Sequence, residues 1–404
     1  MAIQDLMLNF FIVFVCLCVA GLLFYPRLAQ ATLWRAAITP LASIIGSGFL
    51  VLGPILNASF GQYAPFVMMI LCVGAYLFGS AIRFNIARLA KLGGMRSATE
   101  ARLETLASWA LAFAYIISVA YYLNLLGAFA VSMTAFSDPI YAKLVTSGVF
   151  LLVLIVGWTK GFHALERMEQ VTVGIKLSII AGLLFGLVCY FAQKVNLGEL
   201  VVNPATVGGW QAIALVAGLL VTVQGFETSR YLDEEYDGAI RIQSMKLAQW
   251  LSSAIYMTYI ILLSYVFAAG TMTLDETAII ELMGLVAPVL PLLLVTAAIS
   301  AQFSAAVADT GGAGGLIAEL TRGRMSARTG YVVLAAVGLF LTWQLSVFEI
   351  ISFASRAFAI YYGLQAIIAA KGAWSQNSGG RKAAAFATLG LIGFAIAAFG
   401  TAVE

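Results

Sequence analysis

The stretch "ASIIGSGFLVLGP", residues 42–54, decides how the rest of the chain is interpreted. It lies within an apolar run over about 36–57 that is long enough to cross a membrane as a helix. Gly46, Ser47 and Gly48 interrupt this run with residues that weaken a helix. A broken helix is tolerated in hydrocarbon only against protein or a water-filled cavity, because unpaired backbone groups are costly there. Small residues also occur where two helices pack closely, so the stretch predicts either a functional break or a packing seam.

The composition is that of a membrane protein. Of the 404 residues, 62% are hydrophobic and 10% are charged, and the mean hydropathy is +0.97. Soluble domains carry about 25% charged residues. Apolar runs of roughly 20 residues recur along the chain, whereas a β-barrel would show short alternating segments. We therefore predict a multi-pass, all-α protein of the cell membrane, which in a bacterium is the inner membrane, with the lipid bilayer as a partner.

The apolar runs predict about twelve transmembrane helices. They fall at about 7–25, 36–57, 62–85, 104–133, 142–159, 168–192, 209–231, 246–269, 281–309, 330–344, 346–370 and 383–402. The tenth and eleventh runs are divided only by a tight turn near Gln344–Ser346. Lysines and arginines concentrate after the odd-numbered runs, and such residues favour the cytoplasmic side. Both termini are therefore predicted on the non-cytoplasmic side.

Several function classes are disfavoured by the residues that the chain contains. His163 is the single histidine, and the four cysteines, Cys16, Cys18, Cys72 and Cys189, show no metal-ligand spacing. No tract of lysine and arginine resembles a nucleic-acid surface. The sequence therefore predicts no enzyme activity, no catalytic residue, no cofactor, no metal site and no nucleic-acid partner, and it leaves the oligomeric state open.

A second interrupted helix is predicted five runs after the first. The seventh run contains "LLVTVQGFETSRYLDEEYD", residues 219–237, in which Gly225 is followed by the charged residues Glu227 and Arg230. Helices five runs apart cross the membrane in opposite directions, as the interrupted helices of inverted-repeat transporters do. We therefore predict two five-helix repeats of opposite orientation. They would cover 36–193 and 209–371, with an extra helix and linker at 1–35 and a further helix at 372–404.

Four short motifs carry a resemblance to a known family. They are "IIGSGFLVLGPIL" at 44–56, "ERMEQVTVGIKLSII" at 166–180, "GFE" at 225–227 and "YLDEEYDGAIRIQSMKLAQ" at 231–249. Over about 36–371 the chain resembles the amino acid–polyamine–organocation (APC) superfamily, which has the LeuT-like fold with a five-plus-five inverted repeat. The chain departs from that family's pattern at "ADTGGAGGLIAELTRGRM", residues 308–325, where the family often has a basic residue and Asp-Gly. The resemblance implies secondary transport of a small molecule.

Both interruptions are candidate substrate contacts. Free N–H groups at the start of a half-helix attract a carboxylate, and free carbonyls attract an ammonium group or another cation, so a zwitterionic amino acid suits both. The fourth run, with the neighbouring Tyr122, is expected to line the same cavity, although aromatic residues also serve as packing. The predicted contacts are Ile45, Gly46, Ser47, Gly48, Tyr121, Asn124, Val223, Gly225 and Phe226.

Lys176 is the first candidate for ion coupling. It lies nine residues beyond Arg167, which places it about 13 Å along the sixth run at roughly 1.5 Å per residue. A lysine at that depth is either functional or a snorkelling or structurally paired group. The resemblance implies that its amine replaces the sodium ion of sodium-coupled relatives. Asp309 and Thr310 are predicted to end the ninth run, either as partners of Lys176 or as a polar helix end facing the cytoplasm.

Glu227, Arg230 and Arg356 are the other charges predicted inside the membrane. Glu227 is a candidate for carrying a proton, contacting a substrate amine or locking the broken helix. It is alternatively the i,i+3 ion-pair partner of Arg230. Arg356 is predicted to pair with Glu227 or Glu349, to form an outer gate, or to bind an anionic substrate.

The leading hypothesis is a secondary transporter of an amino acid or related amine by alternating access. Transport would be coupled to protons, or the protein would be an exchanger, and it would be independent of sodium. The alternative is an inorganic ion transporter of the cation–chloride or metal type on the same fold. A non-transporting receptor or assembly subunit is a third hypothesis, and two broken helices with charges at mid-membrane argue against it.

Overall fold

The computed structural model describes residues 2–46, 48–93, 95–135, 138–159, 163–232, 235–268, 275–375 and 380–402. These residues form helices and connecting turns, without a strand among them. The α-helices are α1 Ala2–Leu23, α2 Pro26–Ala29, α3 Thr32–Ile44, α4 Gly48–Phe60, α5 Ala64–Lys91, α6 Ala98–Val131, α7 Pro139–Thr159, α8 His163–Leu197, α9 Gly209–Gly218, α10 Gly238–Ser264, α11 Ala278–Val286, α12 Leu290–Leu320, α13 Ala327–Gln344, α14 Val347–Ser375 and α15 Gly380–Phe399. Short 3-10 turns cover Gly61–Tyr63, Leu220–Val223 and Phe226–Tyr231.

Each predicted run overlaps one or more of these helices. In the described part of the chain, nine helical segments are long and apolar enough to cross a membrane. The predicted second run is divided into α3 and α4, and the seventh is divided into α9 and two 3-10 turns. The predicted boundary near Gln344–Ser346 is confirmed, because α13 ends at Gln344 and α14 begins at Val347.

The predicted ninth run, 281–309, differs from the helices of the structure at both ends. Residues 281–286 belong to the short helix α11, and the crossing helix α12 continues for ten residues beyond Thr310. Asp309 and Thr310 therefore lie inside α12, where each is 1% exposed, and not at a wetted helix end. The glycines that follow within α12 are packing positions, since Gly312 lies against Tyr115 and Gly314 against Tyr331. Small residues of this kind let membrane helices approach closely.

The outermost helices pack around an inner group. The predicted extra helix α1 lies against α8, where Gly182 of α8 faces Cys16 and Ile12 of α1. Of the apolar stretch Leu6–Leu23 in α1, only 11% of the residues are buried. In α6, 89% of the residues in the most apolar stretch are buried, so α6 runs through the interior. Helix α15 packs against α14 through Gly393 and Gly363. Tyr122 of α6 accepts from Gln224 beside Gly225, so α6 adjoins the second interrupted helix.

The two interruptions are in direct contact. We call the interruption between Ile44, where α3 ends, and Gly48, where α4 begins, the first break, and residues 219–225, after α9, the second break. A Cβ atom on Gly48 would overlap Thr222, and one on Gly225 would overlap Ser43 and the backbone of Ile44. Gly225 also has φ 116°, a left-handed conformation that favours glycine. The glycines are therefore required by the close approach of the two breaks.

Candidate functional site

The first break exposes backbone carbonyls at the end of α3. Helix α3 ends at Ile44, and Ile45 leaves the helical region with φ −86° and ψ 38°. The N–H of Gly46 donates to Ser43, which leaves the carbonyl of Ala42 without its usual i+4 donor. Ile45, Gly46 and Gly48 are buried here. Ser47, the other predicted contact of this break, lies outside the described residues.

Lys176 donates from Nζ to the carbonyl oxygen of Ala42 over 2.8 Å. Its side chain is 1% exposed and reaches this carbonyl from α8. Among the described residues no ion pair within 4.0 Å joins Lys176 to Asp309. Asp309 instead accepts a hydrogen bond from Ser118 of α6 through Oδ2. The ammonium group is therefore placed at the first break, as a charge favoured by C-terminal carbonyls.

Tyr256 of α10 contacts both breaks, and the sequence analysis missed it. Its Oη lies 2.9 Å from the carbonyl oxygen of Ile44 and 2.7 Å from that of Thr222. Both carbonyls belong to helical ends that the breaks create. The only signal in the sequence is a polar ring inside an apolar run, which is common in membrane helices.

The second break is held by side chains of α14. Ser355 accepts from the N–H of Val221 over 2.8 Å and donates to the carbonyl of Gly218 over 2.6 Å. Glu227 Oε2 accepts from the N–H of Gly225 over 2.9 Å and from Tyr362 Oη over 2.7 Å. Through these two hydrogen bonds the Glu227 side chain connects the backbone of the second break to α14.

Arg230 does not pair with Glu227. It donates to Glu104 of α6 and to Gln365 of α14, and Gln365 also accepts from Asn85 of α5 over 2.9 Å. The i,i+3 ion pair does not form, because the Glu227 carboxylate instead accepts a hydrogen bond from the N–H of Gly225. The resulting buried cluster ties the end of the segment Phe226–Tyr231 to three other helices.

Arg356 joins neither of its predicted carboxylate partners. Its Nε donates to the carbonyl of Ala397 in α15 over 2.7 Å, and the side chain is half-buried. Glu349 instead accepts from the N–H of Ser346 over 2.8 Å at the start of α14. Arg356 therefore connects α14 to the outer helix α15, and the predicted pairing with Glu227 or Glu349 was wrong.

The fourth run contributes to the breaks through Tyr122. Gln224 donates from Nε2 to Tyr122 Oη over 2.8 Å, and the ring of Tyr121 lies 5.4 Å from that of Tyr122. Asn124 donates to Thr342 of α13 over 2.8 Å, so its amide is engaged with a different helix. Val223 and Phe226 are buried, and Phe226 stacks on Tyr362 at 5.1 Å.

Several buried polar atoms beside the breaks have no hydrogen-bond partner among the described residues. They are Ser43 Oγ, Gln224 Oε1, Glu227 Oε1 and both Nε2 and Oε1 of Gln302. Buried groups of this kind are rare in folded proteins, because each costs about 1–3 kcal/mol. No group of three His, Cys, Asp or Glu residues suited to a metal occurs in the part of the chain that the structure describes.

Gln302 is a second residue that the sequence analysis missed. It is fully buried on α12, one turn before Ala305 and two turns before Asp309, so the three share one helix face. On that face Ala305 lies against Gly46, and Asp309 accepts from Ser118. Gln302 therefore presents an amide with an unused donor and an unused acceptor close to the first break.

Comparisons with known proteins agree with this architecture. A family described as APC superfamily transporter matches residues 26–400. An uncharacterized protein of Aquifex aeolicus (strain VF5) is 46% identical over 357 residues, which cover 86% of each chain.

Three solved transporters share the fold at low sequence identity. One is MHP1, a nucleobase-cation-symport-1 family transporter with bromovinylhydantoin bound (TM-score 0.56, 15% identity, 86% of this chain and 79% of that one). Another is a Na⁺-coupled sialic acid symporter (TM-score 0.55, 15% identity, 99% and 98%). The third is a manganese transporter of Eremococcus coleocola (TM-score 0.52, 12% identity, 92% and 87%). The chain belongs to the APC superfamily, and it is a multi-pass secondary transporter with the LeuT-like fold.

Proposed function

We propose that this transporter carries an amino acid or a related amine by alternating access, without sodium. Coupling would be to protons, or the protein would exchange one substrate for another. The predicted repeats, 36–193 and 209–371, would form two units of opposite orientation, with both termini on the non-cytoplasmic side of the cell membrane. The observation that carries the proposal is the contact of the Lys176 ammonium with the carbonyl of Ala42.

Lys176 supports independence from sodium. A carbonyl at the end of a helix carries partial negative charge and favours a cation. In this chain that cation is a covalently attached ammonium at 2.8 Å, in a side chain that is 1% exposed. An ammonium group provides the same charge as a bound sodium ion and needs no ion gradient. The lysine is therefore a built-in replacement for a coupling cation.

The unpartnered atoms beside the breaks support a polar substrate. Gln224 Oε1 and Glu227 Oε1 are acceptors, as an ammonium group requires. The Gln302 amide provides both an acceptor and donors near the first break, where the N–H groups at the start of α4 favour a carboxylate. Tyr121, Tyr122, Val223 and Phe226 would cover the apolar part of the substrate.

Proton coupling is proposed at Glu227. Its carboxylate is fully buried and holds the second break through Gly225 and Tyr362. Protonation would convert one carboxylate oxygen from an acceptor to a donor, which would weaken the bonds to an N–H and a phenol. Binding or release of a proton would thereby change the geometry of the break. Asp309, which accepts from Ser118 of α6, and the neighbouring Thr310 are the other candidates in this role.

The proposal is tested by reconstituting the full chain in liposomes and measuring uptake. The screen contains amino acids, short amines, a hydantoin, sialic acid and Mn²⁺, each with and without imposed sodium and pH gradients. We expect uptake or exchange of at least one amino acid or amine, unchanged when potassium replaces sodium. Uptake of Mn²⁺ alone would favour the inorganic-ion alternative, and uptake driven by a sodium gradient would contradict the role proposed for Lys176.

A further inference from the structure

Tyr256 joins the two broken helices through one hydroxyl group. The carbonyl of Ile44 belongs to the last residue of α3, and that of Thr222 lies in the 3-10 turn just before Gly225. Both oxygens lie within hydrogen-bond distance of Tyr256 Oη, at 2.9 and 2.7 Å. Tyr256 itself lies on α10, outside both breaks. One side chain of a continuous helix thus contacts the carbonyl that each interrupted helix exposes.

The position of this hydroxyl is fixed by packing. The side chain of Tyr256 is 1% exposed, and its ring meets that of Phe49 edge-on with centroids 5.5 Å apart. Phe49 is the second residue of α4, immediately after the first break. The ring therefore contacts one side of the first break while the hydroxyl contacts the other. Such a group is held in place before any ligand binds.

The hydroxyl group is neutral, whereas the two carbonyl oxygens that it contacts favour a positive charge. A phenol has one proton, so Tyr256 donates to one of the two oxygens at a time. Both oxygens lie at C-terminal ends of helical segments, where partial negative charge accumulates. Carbonyl oxygens that converge in this way are also the usual ligands of small cations in proteins. A neutral group consequently occupies a point at which a cation would be stabilised.

We propose that Tyr256 is a positioning residue that holds the two broken helices in register and takes the place of a small monovalent cation between them. The inference concerns Ile44 and Thr222, and it is separate from the contact of Lys176 with Ala42. It rests on the proposed sodium independence and extends it to a second place in the protein, the contact of Tyr256 with Ile44 and Thr222. Its test requires no substrate, so it can fail while the proposed substrate class stands.

Tyr259 provides a matched control on the same helix. It lies one turn after Tyr256, is fully buried, and its ring is 4.5 Å from that of Phe49. Its hydroxyl is 3.4 Å from the carbonyl of Leu50, at the edge of hydrogen-bonding distance. Removal of this hydroxyl deletes the same atom from an equally packed ring but leaves both breaks joined.

The experiment is hydrogen–deuterium exchange of the purified full-length protein, comparing Tyr256→Phe and Tyr259→Phe with the wild type. For Tyr256→Phe we expect exchange to rise about tenfold in both breaks, because loss of one buried hydrogen bond has an effect of that size. For Tyr259→Phe we expect at most about a twofold rise, confined to α4 around Leu50. A rise in one break only, or equal effects of the two variants, would overturn the bridging role.

A second variant tests the replacement of a cation. Tyr256→Ala leaves the two carbonyls facing an open space, and its melting temperature is measured in sodium, lithium and the bulky cation N-methyl-D-glucamine. We expect sodium or lithium to raise the melting temperature of this variant but not that of the wild type or of Tyr259→Phe. Stabilisation of the wild type by sodium, or a folded Tyr256→Ala that gains none, would overturn the replacement. The exchange experiment on Tyr256→Phe decides the bridging role even where Tyr256→Ala does not fold.

Discussion

The first break and the second break differ in the charge that each one holds. At the first, the Lys176 ammonium lies 2.8 Å from the carbonyl oxygen of Ala42. At the second, the Glu227 carboxylate accepts the N–H of Gly225 over 2.9 Å. Carbonyls at the end of a helix carry partial negative charge, and N–H groups at the start carry partial positive charge. Each break thus contains the charge that its exposed backbone favours.

The breaks also differ in where their charged partners come from. Lys176 lies on α8, more than a hundred positions along the chain from Ala42. Glu227 is only two residues from Gly225, and its other partner is Tyr362 of α14. The first break therefore depends on how α8 is placed against α3, whereas the second carries its own charge. We expect a change at Lys176 to loosen one contact between helices, and a change at Glu227 to alter the break itself.

The largest expected effect is on the buried pair that anchors the segment following the second break. Arg230→Met would leave Glu104 buried beside Arg96, its remaining basic neighbour at 3.8 Å. Loss of one member of a buried pair costs about 3–5 kcal/mol. We expect a large fall in the midpoint of heat denaturation in detergent. Arg356→Met is the control, since that half-buried arginine donates to the backbone carbonyl of Ala397 and forms no ion pair with a described residue. Equal falls in the two variants would contradict the anchoring role.

The architecture could be predicted because it depends on composition and on local breaks. Apolar runs show where helices cross, and Gly46–Gly48 and Gly225 show where two of them are interrupted. The prediction failed at the end of the ninth run. Asp309 and Thr310 were expected to end the helix, but α12 continues to Leu320, and the glycines beyond Asp309 accommodate Tyr115 and Tyr331 within it.

The side chains that complete the breaks could not be predicted in the same way. Tyr256, Ser355 and Gln302 are ordinary polar residues in apolar helices, and the partners of the first two lie on distant segments. No local spacing indicates such contacts. For Arg230, the local spacing was misleading, because its position three residues after Glu227 suggested an ion pair. Its actual partners, Glu104 and Gln365, lie more than a hundred positions away in the chain.

The contact of Lys176 with the first break is tested by removing its charge. Lys176→Met removes the ammonium but keeps a similar volume, which leaves the carbonyl of Ala42 buried without this donor. Charged hydrogen bonds of this kind contribute about 1.5–3 kcal/mol. We expect a corresponding loss of stability and a fall in liposome uptake of about tenfold or more.

Lys194→Met is the matched control for Lys176→Met. Lys194 lies on the same helix, and its partner Glu199 is exposed, so its contribution is within about 1 kcal/mol. Uptake in Lys176→Met equal to that of Lys194→Met would show that the ammonium is not needed at the first break.

The carboxylate of Glu227 at the second break is tested by replacing it with an amide. Glu227→Gln keeps the shape of the side chain and an acceptor oxygen for Gly225, but it cannot release a proton. We expect about 1–2 kcal/mol of lost stability from the weaker bonds to Gly225 and Tyr362. Uptake driven by a pH gradient should disappear, while exchange of external for internal substrate continues.

Glu349→Gln separates coupling from a general loss of charge. Glu349 accepts from the backbone of Ser346 at the exposed start of α14, away from both breaks. We expect this variant to retain uptake driven by a pH gradient. Persistence of such uptake in Glu227→Gln as well would move the coupling role to another group, of which Asp309 is the next candidate.

Gln302, beside the first break, serves either the stability of the protein or the binding of a ligand, and the change expected here is the smallest. Gln302→Leu removes two buried polar atoms that have no partner among the described residues. Since such atoms are unfavourable in the empty protein, we expect a gain in stability of about 1 kcal/mol together with weaker uptake. Gln249→Leu is the opposite case, because that amide accepts from Arg83 and donates to Ala75 over 2.8 Å, and its loss should destabilise the protein. A loss of stability in both variants would mean that Gln302 is a structural residue, whereas opposite signs would indicate that its amide is reserved for substrate.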